Sequence, residues 1–147
     1  AEVKNFVKQI AISFGLVGSN GVDFVLTKNG PIFMEINPRF QGSFECVEAI
    51  TSLNLVKAHL EACNGILPKK ISFNGYAVRM TAFANFRLKV MQDFRFNKCI
   101  RDIPLKGSII EEKEPIATVI TKGPVRKSAL NQARKFVRKI YNSVTCV

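Results

Sequence analysis

The sequence predicts an α+β fold: an antiparallel sheet with flanking helices in front, and a smaller β-rich region behind. Three observations carry this expectation. Apolar residues recur at helical spacing over residues 2–14, 54–63 and 127–141. Runs rich in β-branched and aromatic residues at 22–27, 32–36, 75–83 and 115–121 are bounded by Gly, Pro and Asn, as short strands are. Charge then divides the chain. Residues 1–68 carry five basic and six acidic side chains and residues 69–147 carry seventeen and five, so the net +11 resides in the back part. We therefore expect two regions, 1–68 and 69–147.

In chain order, Val3, Phe6, Val7, Ile10 and Phe14 fall on one stripe of the first helix, with Lys4 and Lys8 off it. Gly15 ends that helix, and the Gly-rich stretch 15–21 leads into a strand. A phosphate cradle needs a helix after its glycines, so this loop reads as a connector. Lys28-Asn29-Gly30-Pro31 is a turn signal, since Asn and Gly tolerate positive φ and Pro cannot extend a ladder. Ser43 suits the cap of a short helix containing Glu45 and Glu48. Asn54 opens another, with Leu55, Val56, His59, Leu60 and Cys63 on one face and Asn64-Gly65 as its stop. Behind lie a strand at 75–83, a strand or short extended pieces at 88–94, and turns around 102–114. A strand at 115–121 and a closing helix at 127–141 follow; Leu130, Ala133, Phe136, Val137 and Ile140 face inward in that helix.

The front hairpin carries an unusual polar cargo. Asp23 interrupts its first apolar run, and Glu35 and Asn37 sit in or just past the second. Side chains alternate along a strand, so Glu35 and Asn37 share a face. A two-residue turn would set Asp23 opposite Ile36, on the wrong side. A three-residue loop, 28–30 with Gly30 left-handed, sets Asp23 opposite Glu35, with side-chain roots about 5 Å apart. Carboxylates so close repel unless a hard cation lies between them. Mg²⁺ prefers carboxylate oxygens and shares its shell with phosphates, and an Asn amide oxygen adds a neutral ligand. Arg39 follows closely enough to meet a transferring phosphoryl group or a developing oxyanion. The bland alternative is an ordinary hairpin with two solvent-facing acids.

The order Asp23, then Glu35-Ile36-Asn37-Pro38-Arg39 twelve residues later, resembles the metal-binding hairpin of the ATP-grasp superfamily, in the branch of biotin carboxylase and carbamoyl phosphate synthetase. Gln41, two past the arginine, fits that branch, as does the order helix, Gly-containing loop, hairpin. The resemblance implies that the front part is the carboxy-terminal lobe of an ATP-grasp fold. It puts Asp23, Glu35 and Asn37 on the Mg²⁺ ions of ATP, with Mn²⁺ as the alternative metal, and Arg39 beside the reacting phosphate and carboxylate. Val25 and Met34, flanking the acids, become candidates to touch adenine. The back part resembles the small β-rich carboxy-terminal region of archaeal-type ATP-grasp ligases, through Asp-Ile-Pro at 102–104, Gly-Ser-Ile-Ile at 107–110, Pro-Ile-Ala-Thr-Val at 115–119 and Lys-Gly at 122–123. Such enzymes join a small-molecule carboxylate to an amine or related nucleophile through an acyl phosphate. They also possess an amino-terminal domain and a second ATP lobe with two phosphate-binding lysines. The resemblance therefore implies the metal- and ATP-binding half of a ligase that works with that further lobe or with a second subunit.

Composition bounds the other readings. No apolar run approaches the ~20 residues of a membrane helix, and the charged, helix-like amino end is no signal peptide. The chain starts at Ala1 and reads as the back of something longer, or a processed product. Cys46, Cys63, Cys99 and Cys146 are scattered, and His59 is the sole imidazole, so a zinc site is not expected. Cys46 and Cys63 read as buried thiols, and a reducing cytoplasmic setting follows. His59 reads as a packed helix residue rather than a catalytic base. The basic last helix is a solvated face, a nucleic-acid surface or a contact for an acidic partner; it lacks the interleaved aromatics of single-strand binders, so nucleic acid is not the favoured partner. A noncatalytic basic module for RNA or an acidic partner is the alternative function.

Overall fold

The computed structural model describes residues 2–68, 70–94 and 97–147. Among the described residues, four helices and eight strands group into two units, and the mixed helix and antiparallel sheet is the expected α+β class. The first unit runs to Phe44 and takes in Ser52–Ser72; the second joins Glu45–Thr51 to Phe73–Val147, so the short helix at 44–51 groups mainly with the back of the chain.

In the first unit α1 (Glu2–Ser13) precedes the antiparallel pair β1 (Gly21–Thr27) and β2 (Gly30–Asn37), and α3 (Leu55–Cys63) follows. Phe6 of α1 stacks on Phe24 of β1 at 5.6 Å, and Phe24 meets Phe33 of β2 edge-on at 6.4 Å. These aromatics fasten the helix to one face of the hairpin. The α1 stripe is only partly buried: Ile10 is inside, whereas Val3 and Phe14 are exposed. Asn54 caps α3 as expected, its Oδ1 accepting from the Lys57 amide at 2.8 Å. The packed side of α3 is instead that of Ala58 and Ala62, leaving Val56, Leu60 and Cys63 exposed. Cys63 is thus not the buried thiol expected, because the helix packs through its small residues.

The second unit holds the better-filled core. Sheet order is β3-β7-β5, with β3 (Tyr76–Phe83), β5 (Ile100–Arg101) and β7 (Pro115–Gly123), all antiparallel. A second sheet of order β6-β4-β8 is formed by β4 (Leu88–Val90), β6 (Ile109–Ile110) and β8 (Val144–Cys146). The extended pieces expected at 88–94 reduce to β4, and the Gly-Ser-Ile-Ile turn contributes a strand of its own. Among the described residues, Phe94, Leu88, Ile116, Ile140, Val90 and Val119 are the largest fully buried side chains. Burying each aliphatic one contributes about 1.5–3 kcal/mol. Helix α4 (Arg126–Tyr141) lies on this core through Ala129, Ala133 and Ile140, the two alanines permitting close approach. Inside, the Thr121 hydroxyl donates to the Ala129 carbonyl at 2.7 Å, which makes its burial tolerable. On α2 (Phe44–Thr51) Glu45 accepts from Arg101 at 2.9 Å. Beside it Cys46 is half-buried, and burial pushes its thiol pKa above the ordinary 9.0, against the opposing pull of Arg79. Among the described residues no helix is long and apolar enough to cross a membrane.

Candidate metal and nucleotide site

The β1–β2 hairpin sets Asp23 opposite Glu35 and Gly21 opposite Asn37, the pairing that places all three polar side chains on one face. The route differs from the expected one. The turn has two residues, Lys28 and Asn29, with Thr27 paired to Gly30. The Thr27 hydroxyl closes it, accepting from the Asn29 amide at 3.2 Å and donating to the Gly30 carbonyl at 2.9 Å. Gly30 does adopt positive φ, +109°. A regular ladder from this turn would bring Met34, not Glu35, opposite Asp23. A β-bulge between Asp23 and Phe24 corrects it: Phe24 pairs with Phe33, Asp23 with Glu35, and Met34 has no partner. Bulges commonly re-aim side chains in this manner.

The three side chains meet. Asn37 Nδ2 donates to Asp23 Oδ2 at 3.1 Å and to Glu35 Oε1 at 3.0 Å. Both carboxylates therefore reach one nitrogen, which holds those oxygens within about 6 Å of each other. Both acids are exposed and Asn37 is half-buried. Two carboxylates plus an amide carbonyl form a hard oxygen set that suits Mg²⁺, whose remaining positions go to waters and phosphate oxygens. Among the described residues, no group of three or more His, Cys, Asp or Glu side chains is gathered for a metal. The donor set is thus two acids and one amide.

The other expected residues are placed less uniformly. Val25 is two residues from Asp23 on β1 and Met34 is the bulge residue; both are exposed. Arg39 is exposed, and its Nη1 donates to the Phe40 carbonyl at 3.2 Å. Its backbone amide donates to the Asn37 carbonyl at 2.8 Å, folding the chain tightly just past the site. Gln41 ties this segment down, its Nε2 donating to the carbonyls of Arg39 at 3.0 Å and Asn37 at 3.3 Å.

Two positioning elements were not legible in advance. Gly21 lies under Gln41, and a Cβ there would fall 2.1 Å from Gln41 Cδ, so a side chain opposite Asn37 would push the Gln41 amide off its carbonyl partners. His59 holds the loop that leads into β1. Its Nδ1 accepts from the Ser19 amide at 3.0 Å, its ring packs on Phe40 at 5.0 Å, and Gly18 (φ +75°) gives it room. The signal for Gly21 was a glycine at a strand start two residues before an acid; for His59 no sequence spacing announces a partner forty residues away.

Comparison with known proteins follows the same residues. A sequence model of the ATP-grasp domain matches residues 1–43, a stretch that contains Asp23, Glu35, Asn37, Arg39 and Gln41. An uncharacterized protein of Methanocaldococcus jannaschii is 37% identical over 123 residues, covering 84% of this chain and 30% of the relative. Among solved structures, the biotin carboxylase domain of a thermophilic 2-oxoglutarate carboxylase, bound to bicarbonate, is similar with a TM-score of 0.73 at 21% identity, over 97% of this chain and 36% of that one. The Hydrogenobacter thermophilus 2-oxoglutarate carboxylase domain in complex with MgADP, ADP and bicarbonate gives 0.69 at 20% identity, over 97% and 35%. Rhizobium etli pyruvate carboxylase gives 0.72 at 18% identity, over 98% and 16%. The chain spans about a third or less of the length of each of these proteins. By the match at its front and the likeness along nearly its whole length, the chain has an ATP-grasp fold of the kind seen in biotin carboxylase domains.

Proposed function

We propose that this chain supplies the metal- and ATP-binding half of an ATP-dependent carboxylate–amine or related ligase. The observation that carries the reading is the convergence of Asp23, Glu35 and Asn37 on one face of a hairpin inside the matched ATP-grasp segment. A fold neighbour with MgADP and bicarbonate bound adds support. MgATP, when bound, supplies the phosphoryl group that activates a substrate carboxylate as an acyl phosphate. Asp23 and Glu35 would hold the divalent ion, and the Asn37 amide, turned by half a rotation, would offer Oδ1 in place of Nδ2. Arg39, released from the Phe40 carbonyl, pairs its guanidinium with the anionic oxygens of the reacting groups. Gln41 and Gly21 keep Asn37 and Arg39 in place through the backbone. Val25 and Met34 offer apolar surface to the adenine.

Such a site works with a further ATP-grasp lobe, in the same polypeptide or a second subunit. The exposure of Val25 and its partner Ile32 on the acid-bearing face, with Met34 at the bulge, supports that expectation, since contiguous apolar surface marks an interaction site. The substrate is a small-molecule carboxylate. Mg²⁺-dependent ATP hydrolysis, measured with and without an added amino-terminal ATP-grasp lobe, tests both halves of the reading. Turnover should need that lobe and fall at least about tenfold in Glu35→Ala, the loss of one charged metal ligand. Full turnover by the 147-residue chain alone, or none lost in Glu35→Ala, would count against it.

A further inference from the structure

We propose that the outward face of α4 is a docking surface for an acidic protein segment, one that presents carboxylates at helical spacing. The helix carries Arg126, Lys127, Arg134, Lys135, Arg138 and Lys139 and no acid. Arg134, Lys135, Arg138 and Lys139, with Asn131 and Asn142, line a shallow concavity along its exposed side, opposite the buried Ala129, Ala133 and Ile140. All six lining residues are exposed.

The arrangement is unfavourable for an isolated helix. Arg134 and Arg138 are four residues apart, and so are Lys135 and Lys139. Like charges at that spacing destabilise a helix. Among the described residues, none of the four makes a salt bridge, whereas Arg79, Arg87 and Arg101 in the same unit each have an acid. The helix dipole rewards only the last-turn cations, Arg138 and Lys139. It does not account for Arg134 and Lys135. A row of carboxylates would neutralise both like-charged pairs, and a partner helix with acids four residues apart repeats the same ~6 Å axial step. The two arginines offer the paired donors that match carboxylates, and the flanking asparagines both donate and accept.

Nucleic acid fits less well. The concavity is lined by no aromatic side chain on which a base could stack; Phe136 lies outside it, with the Lys139 ammonium 5.7 Å from its ring centroid. The major groove of an A-form RNA duplex is too deep and narrow for side chains to read, so this face would meet only phosphates there.

The test measures binding, at low and raised salt, of a Glu/Ala-rich helical peptide with glutamates at i and i+4. Its Gln counterpart and single- and double-stranded RNA serve as comparison probes. The acidic peptide should bind more tightly than either RNA or the Gln peptide, and salt should weaken it. Arg134→Gln with Arg138→Gln should weaken it roughly tenfold. Lys106→Gln with Lys113→Gln, the same change in net charge elsewhere on the unit, should leave it within about twofold. Thermal unfolding of the arginine double variant should be nearly unchanged, because relief of a like-charged pair opposes the loss of the Arg138 cation from the helix C-terminus. Tighter RNA binding, no peptide binding, or equal losses in both double variants would each overturn the proposal.

Discussion

Replacing Glu35 by Gln separates the two forces that act on the hairpin. Gln keeps the size and an oxygen that can accept from Asn37, so the 3.0 Å hydrogen bond survives while the charge goes. The facing oxygens of Asp23 and Glu35 lie no more than about 6 Å apart, since both bond to one nitrogen at 3.1 and 3.0 Å. Both acids are exposed, so water's dielectric applies, and two charges at that distance repel by about 0.7 kcal/mol. Without divalent ion, Glu35→Gln should therefore raise stability by about that amount, near 2 °C in melting temperature for a chain of this size. With Mg²⁺ at ten times its dissociation constant, the parent should gain about 1.4 kcal/mol, and the variant, short of one anionic ligand, far less. The ranking of the two proteins then reverses on adding Mg²⁺. Calorimetric or fluorescence melts in chelator and in Mg²⁺ measure this directly. A variant less stable in chelator, or an equal Mg²⁺ gain in both proteins, would refute the idea that these acids are held together for a cation.

Other consequences are reachable with the same instruments. Gly21→Ala places a methyl 2.1 Å from Gln41 Cδ, so the Gln41 amide must swing off the Asn37 and Arg39 carbonyls; denaturant unfolding should show a loss of about 0.5–1.5 kcal/mol, no larger than that of Gln41→Ala. Phe94→Ala empties a fully buried site and should lose about 3–5 kcal/mol in urea titration, the cost falling on the second unit. The raised Cys46 pKa has a definite sign. A folded value above the unfolded one stabilises the fold below pH 9.0, and that contribution is lost as pH rises through the folded value. Stability should thus decline above pH 9.0 more steeply in the parent than in Cys46→Ala, and alkylation of Cys46 should set in at higher pH than for an ordinary thiol.

What could be read from the chain divides along physical lines. Strand alternation, the turn residues and the order Asp23, Glu35, Asn37 are local, and they led to the right pairing and the right face. The means was hidden, because one Thr27 hydroxyl closes the turn a residue early and the bulge at Met34 restores the register; neither follows from composition. The asparagine cap of α3 was legible because it is completed within one turn of helix. The buried side of α3 was not, since alanines at 58 and 62 won over larger apolar residues through what packs against them, a tertiary matter. The two-residue strands β5 and β6 are too short to show a period and exist because β7 and β4 offer them edges. For Arg39, expected beside a reacting phosphate, the chain itself shows only a guanidinium bonded to the next carbonyl.

The supernumerary Met34 makes the tip of the hairpin and its acid-bearing end answerable to separate constraints. The tip is governed by Thr27 and Gly30 alone, while the spacing of Asp23 from Glu35 is settled three pairs further down the ladder. A cousin whose tip grew or shrank by one residue could keep its acids face to face by dropping or gaining one residue at that same point. Counting back from Glu35, rather than outward from the turn, is then the sound way to locate the matching aspartate in any such protein.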